Sequence, residues 1–221
     1  MEGRQRSDRH LMEQIDPEML ELSSAVRRII HATRLADPPP GLASEVAAGL
    51  DCLAEQLEPH AYLGTIAQGS LRNDSNPIDN RFGGPGDFFP YSPAVGPLNP
   101  IAPPMTAVVV DGKQFREVRA SGVLEAPYVG PPDIVQGGVI ALLFDDILGI
   151  ALVANNYGGM TGTLTVRYEA PTPIRTELSW VGRIEKVEKR RVVASGELWA
   201  CGERTAIAEG VFIRVDLLET R

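Results

Sequence analysis

Histidine is nearly missing from this chain of 221 residues: His10, His31 and His60 are the whole supply, and none lies beyond position 60. A Ser-His-Asp triad, or a zinc site that uses histidine, therefore cannot be assembled from the C-terminal part of the sequence. Cysteine is as scarce. Cys52 and Cys201 are two lone, widely spaced residues that form neither a metal-ligating spacing nor a disulfide framework, and they read as reduced structural thiols. Positive charge is also short, with 21 basic against 29 acidic residues and a net charge of −8. That balance disfavours nucleic acid as a partner, because neutralising phosphates needs a clustered basic surface. The longest apolar run, Val139 to Ala154, is interrupted by Asp145 and Asp146 and reads as too short and too charged to insert in a membrane. Residues 1–15 are charged throughout, unlike the apolar core of a secretion signal, so the expected compartment is cytoplasmic.

The composition that remains, 43% hydrophobic and 23% charged, is that of a soluble globular protein with room for one core and a helical preface. Three segments follow from the pattern. Residues 1–63 read as an N-terminal helical hairpin. Asp16-Pro17 is a helix opening, with an N-cap carboxylate and a proline where no N–H is needed. Leu22, Val26, Ile29, Ile30 and Thr33 share one face, Pro38 to Pro40 break the helix, and Leu42, Val46, Leu50, Leu53 and Leu57 form a second stripe. Such stripes suit packing on the main domain or on a partner chain. The segment carries six basic and eleven acidic residues, unlike a DNA-reading helix pair, and its histidines read as surface residues.

Residues 64–104 hold fourteen Gly or Pro in 41 positions, which rules out long regular structure. Phe82, Phe88, Phe89 and Tyr91 give the stretch the character of an ordered arm lying on a surface, either covering a cleft or bridging two layers. Residues 105–221 are the domain. Thr106–Val110, Asp111-Gly112 and Phe115–Gly122 read as a hairpin with a type I′ turn. An apolar helix from Gln136 to Ala154 follows, closed by Asn155 to Gly159. Then come four strands, Thr161–Glu169, Glu177–Val187, Arg191–Ala200 and Arg204–Val215. A helix apolar on nearly every side, followed by an antiparallel meander, predicts an α+β fold in which the sheet wraps the helix.

Chemistry concentrates at the start and middle of that helix. Gly137 and Gly138 leave backbone N–H groups unguarded at the positive end of the peptide dipoles, a site suited to a carbonyl oxygen developing negative charge. Asp145 and Asp146 stand in the middle of the most apolar helix, where a carboxylate is costly unless it is paired, hydrated or used.

Gln136-Gly137-Gly138 followed by Asp145 resembles the His-Gly-Gly…Asp pattern of the hotdog-fold acyl-CoA thioesterases of the phenylacetate-degradation (PaaI-like) type. The run Met160-Thr161-Gly162-Thr163-Leu164-Thr165-Val166-Arg167-Tyr168-Glu169-Ala170-Pro171 is similar to the next strand of that family, with its early threonine and its Tyr-x-x-Pro. The resemblance spans roughly residues 105 to 215. It implies a hotdog fold and hydrolysis of an acyl-CoA thioester, with coenzyme A part of the substrate and no separate cofactor or metal. It implies that the Gly137 N–H holds the thioester carbonyl and that Gly138 lines the substrate site. It further implies that Asp145 attacks that carbonyl or activates water, and that Thr161 orients the water or the carboxylate. It also implies a homodimer or a dimer of dimers, with the carboxylate of one chain facing the glycine turn of the other.

The family histidine is Gln136 here, a group that can donate and accept hydrogen bonds but cannot take up a proton. The Asn or Gln found six residues earlier in the family is Gly130. Asp146 has no counterpart and reads as structural or solvent-facing. Hydratases of the same fold depend on a histidine and are disfavoured, leaving carboxylate chemistry. Arg190 and Arg191, with Lys186 and Lys189, form a basic turn that could meet coenzyme A phosphates or be merely solvated. A non-catalytic acyl-CoA or lipid-binding protein is the alternative that Gln136 raises. An acyl-CoA-sensing DNA regulator is opposed by the acidic preface.

Overall fold

The structure is a computed structural model, which describes residues 16–64, 66–69 and 89–214. Six strands form one antiparallel sheet. They are β1 (Met105–Val110), β2 (Glu117–Val123), β3 (Gly159–Tyr168), β4 (Glu177–Val187), β5 (Arg191–Ala200) and β6 (Glu203–Arg214), in the order β1-β2-β4-β5-β6-β3. The sheet curls around helix α3 (Gly137–Ala154), and α1 (Pro17–Leu35) and α2 (Leu42–Leu57) precede it. This is the hotdog arrangement, with the predicted N-terminal helical extension.

The wrapping has a local cause. Along β5 the buried positions are Val192, Ala194, Gly196, Leu198 and Ala200, a strict alternation that turns one face to the helix. Nine of the eighteen residues of α3 are buried, among them Leu143, Phe144, Ile147 and Leu148. By length and composition alone α3 is long and apolar enough to cross a membrane, more than the interrupted run suggests from sequence; here its apolar surface is taken up by the sheet. Gly182, Gly196 and Gly210 let the helix come close. A Cβ built at Gly182 would lie 2.8 Å from Ile147 Cγ2 and 3.1 Å from the Ile147 backbone oxygen, and one at Gly196 would lie 2.9 Å from the Phe144 ring. A Gly182→Ala variant is therefore expected to lose about 1–3 kcal/mol, the range for overpacking a filled core. Equilibrium urea unfolding that leaves the midpoint unchanged would refute this close approach.

Both N-terminal helices begin and end where the sequence predicts. Asp16 Oδ1 accepts from the Glu18 N–H at 2.9 Å, with Pro17 opening α1. The way they pack differs from the expected hairpin. The docked face of α1 carries Ser23 (buried), Arg27 and His31, whereas Val26 and Ile29 remain exposed. Arg27 Nε donates to the Ala102 carbonyl at 2.9 Å, and its Nη2 to those of Asn99 (3.1 Å) and Pro97 (3.3 Å). A proline-rich arm has carbonyls to spare and few N–H groups to satisfy them, so a guanidinium with five donors is the better partner for it. His31 lies on this docked face too, its Nε2 3.6 Å from Glu125. Helix α2 buries no residue, and its stripe of Leu42, Val46, Leu50, Leu53 and Leu57 stays exposed.

Residues 89–104 are the longer described part of the arm, and they pack on the rest of the protein. Ser92, Ala94, Val95 and Ala102 are buried, and the Tyr128 hydroxyl donates to the Ile101 carbonyl at 3.1 Å. This part of the arm bridges α1 and the domain. Phe82 and Phe88 lie outside the described residues.

The predicted tight turn at Asp111-Gly112 is instead a six-residue connection, because Val110 pairs with Glu117. Packing wins over turn propensity here. Phe115 meets the Tyr157 ring edge-on, with centroids 6.5 Å apart. The Arg116 N–H donates to Asn155 Oδ1 at 2.8 Å, and Asn155 Nδ2 donates back to the Arg116 carbonyl at 3.0 Å. These contacts draw residues 111–116 onto the C-terminus of α3. The two-residue hairpin turn lies at Cys201-Gly202, with φ of 52° and 80°, between paired Ala200 and Glu203. Cys52 and Cys201 are both free and exposed, which places neither in the structural interior.

Candidate active site

The first turn of α3 is built from two poor helix formers and is held from outside. Gln136 is the N-cap, its Oε1 accepting from the Val139 N–H at 2.9 Å. The cap is the use the fold makes of the glutamine standing where the family histidine would be. The N–H groups of Gly137 and Gly138 find no acceptor among the described residues. They lie at the positive end of the helix, as an oxyanion site requires.

Asp145 lies two turns further along, partly exposed. Its Oδ1 accepts from the Thr161 hydroxyl at 2.7 Å, so the structure brings together two of the residues singled out from sequence. How Thr161 gets there is not visible in the alternation of β3. Thr161 pairs with Phe212 and Thr163 with Val211, so Gly162 is an extra residue that interrupts the register. The buried Phe212 points toward the helix, and its partner Thr161 shares that face. Without the bulge, Thr161 would fall with Thr163 on the far side. Bulges re-aim a side chain in this way next to functional sites.

A single chain does not close the site. Gly137 and Asp145 are eight positions apart on one helix, an axial separation of about 12 Å, too long for both to touch one thioester group. On the side of Asp145, β3 is the edge of the sheet, and Met160, Leu142 and Tyr168 on and beside it are 70%, 40% and 51% exposed.

Asp146 plays a different part. It accepts a hydrogen bond from the Ser92 hydroxyl, whose oxygen in turn accepts from the N–H groups of Ala94 (2.9 Å) and Val95 (3.1 Å). Asp146 is thus the anchor of the arm. Burial pushes its carboxyl up to about 6; the Ser92 bond works against this, and the neighbouring Asp145 carboxylate adds to it. A carboxyl whose folded value lies above its unfolded value of about 4 binds more protons in the folded state between those limits. Its contribution to stability is thus full below about pH 4 and lost as pH rises through about 6. The Asp146→Asn variant keeps an oxygen for Ser92 and removes the titration. Its melting temperature is expected to vary less than that of the wild type between pH 4 and 7, and to be higher at pH 7. Parallel wild-type and variant curves across that range would show the group to be electrostatically silent.

Arg190 ends the β4–β5 turn and Arg191 opens β5; the Arg191 carbonyl accepts from Glu188 N and the Arg190 carbonyl from Arg214 N. Through β6, Arg191 is level with Met160, one position from Thr161. Two strand spacings of about 4.8 Å each separate them, so the basic turn shares an end of the sheet with Asp145. Nearby Lys186 is paired with Glu188 at 2.7 Å.

In the sequence Tyr168 stands out only as part of the Tyr-x-x-Pro strand end. Its hydroxyl donates to the Gly137 carbonyl at 2.7 Å. Only the position of its strand against the helix could reveal that contact, since 31 residues separate the pair.

A solved crystal structure described as a thioesterase superfamily protein is 31% identical to this chain. It superposes with a TM-score of 0.72 over 88% of this chain and 94% of that one, so the likeness takes in more than the sheet and its helix. This chain belongs to the thioesterase superfamily. Curated relatives give shorter matches. The acyl-coenzyme A thioesterase THEM4 of Xenopus laevis is 37% identical over 73 residues, 33% of each chain. The protein of the same name from Mus musculus is 28% identical over 89 residues, 39% of this chain and 38% of that one. The chain therefore matches over about a third of the length of these curated relatives. No family profile matches it. For a member of this superfamily, the helix mouth at Gly137 and the Asp145–Thr161 pair are the features that chemistry must explain.

Proposed function

We propose that this protein is an acyl-CoA thioesterase of the PaaI-like type, acting as a homodimer by carboxylate-assisted hydrolysis. The observation that carries the reading is the Asp145–Thr161 pair at 2.7 Å on the helix whose first two N–H groups stand free. In the assembled site the carbonyl oxygen of the thioester accepts from Gly137 N–H of one chain, beside Gly138. Asp145 of the other chain takes a proton from water, whose oxygen adds to the carbonyl carbon. The tetrahedral oxyanion is held by the glycine turn, the C–S bond breaks, and the departing thiolate receives the proton from Asp145. In the nucleophilic variant of the same reading, Asp145 itself adds to the carbonyl, and the C–S bond breaks to leave a mixed anhydride and a thiolate that is protonated by solvent. Water then cleaves the anhydride to the acid and the Asp145 carboxylate. Label in Asp145 after a single turnover in ¹⁸O-water is expected of the nucleophilic route with water attacking the Asp145 carbon of the anhydride, and not of the general-base route.

The separation of Gly137 and Asp145 along one helix supports the dimer, as does the exposed edge at β3. A monomer by light scattering, with activity intact, would overturn that part. The basic turn at Arg190 and Arg191 is assigned to the phosphates of coenzyme A. The experiment for the activity is a panel of short, long and aromatic acyl-CoAs assayed for free thiol. Release from one class supports hydrolysis. Tight binding across the panel with no thiol released would favour the non-catalytic acyl-CoA-binding alternative, the reading that the capping role of Gln136 keeps in view.

A further inference from the structure

The glycine turn has little stiffness of its own. Glycine is the weakest helix former apart from proline, and Gly137-Gly138 occupies the first turn, where helices fray. Two contacts from side chains hold it. One is the Gln136 cap on Val139 N–H. The other comes from the last residue of β3, whose hydroxyl donates to the Gly137 carbonyl at 2.7 Å. The phenol also stands against the turn. A Cβ built at Gly137 would lie 3.1 Å from the Tyr168 oxygen and 3.2 Å from its Cζ.

We infer that Tyr168 is a positioning residue for the oxyanion turn, acting through the Gly137 carbonyl to aim the Gly138 N–H at the substrate carbonyl. The inference rests on the thioesterase reading above. The C=O of Gly137 and the N–H of Gly138 belong to one planar trans peptide, so fixing the direction of the first fixes the opposite direction of the second. A hydrogen bond accepted at the carbonyl also polarises the amide and strengthens its N–H as a donor. The Gly137 N–H lies in the preceding peptide, whose Gln136 carbonyl accepts from the N–H groups of Val139 (3.0 Å) and Ile140 (3.3 Å). Tyr168 and Gln136 thus each hold one side of a two-donor turn.

The test is Tyr168→Phe, which keeps the ring and removes the hydroxyl, assayed in the full-length protein with the best substrate of the acyl-CoA panel. A lost hydrogen bond that matters mainly as the oxyanion forms is expected to lower kcat about three- to tenfold, with KM unchanged. In ¹⁵N NMR the Gly138 amide nitrogen is expected to move upfield, while Val139 and Ile140 hold their positions. Wild-type kcat in the variant, or a fall confined to a raised KM, would overturn the inference. A Gly138 resonance that stays in place would overturn it as well. If the wild type releases no thiol from any acyl-CoA, the thioesterase reading fails separately, and the Gly138 resonance still decides whether Tyr168 holds the turn.

Discussion

Asp145→Asn is expected to lower the turnover of acyl-CoA by roughly 10²–10⁴-fold, the contribution of a positioned acid–base group. The variant is expected to fold and melt as the wild type does. The substitution is close to isosteric, and an asparagine oxygen can still accept from the Thr161 hydroxyl as Asp145 Oδ1 does at 2.7 Å. What is lost is the ability to take a proton or to attack as an anion. The carboxylate is only partly buried, so no large rearrangement of the core follows from neutralising it. Free-thiol release measured beside thermal unfolding separates the two effects. Full turnover by a folded Asp145→Asn protein would remove the carboxylate from the chemistry.

The second large effect comes from the other half of the site. Gly137 is the first helical residue, and the residue before it, Gln136, has φ −64° and ψ 130°. That is the extended backbone a following proline prefers, and the first helical position is where proline is best tolerated. Gly137→Pro therefore deletes one N–H with little cost to the helix. A Cβ there would lie 3.1 Å from the Tyr168 oxygen, so the Tyr168 contact is disturbed as well, an effect that Tyr168→Phe measures separately and that is expected to be the smaller of the two. Removing one oxyanion donor is expected to lower kcat by roughly 10²–10³-fold. Mixing Gly137→Pro with Asp145→Asn then tests the shared site. In a mixed dimer one site carries both lesions and the other carries neither. Random reassortment of subunits is expected to restore about a quarter of wild-type activity. Activity that stays at the level of the separate variants would place the turn and the carboxylate in sites that do not span two chains.

Much of this molecule is legible along the chain because the signals involved are short-range. Asp16-Pro17 opens α1, and Pro38 to Pro40 divide α1 from α2. Asn156 takes the left-handed backbone, φ 61°, just beyond α3, as expected of a residue closing a helix. The limits of β4 and β5 are those read from the alternation of apolar residues. In each case the neighbouring residues decide the backbone angles or the face that is buried. Asp145 is legible for a related reason: a carboxylate in the middle of an apolar helix needs a purpose wherever the helix is buried.

What the tertiary structure decided are matters of partnership between residues far apart in the chain. Asp146 is as conspicuous in sequence as Asp145, yet its partner is Ser92, 54 residues earlier in the arm, where the described residues form no helix or strand. The Gly162 bulge turns Thr161 to the helix, a choice made by the register against β6 and hidden in the run of threonines on β3. Residues 111–116 leave the expected tight turn because Phe115 and Arg116 have partners at the end of α3. Tyr168 reaches Gly137 only once β3 has been laid alongside the helix mouth. Local preferences amount to fractions of a kcal/mol per residue, up to about 1. They set the elements and then yield to burial and to the pairing of polar groups, which depend on what the fold brings alongside.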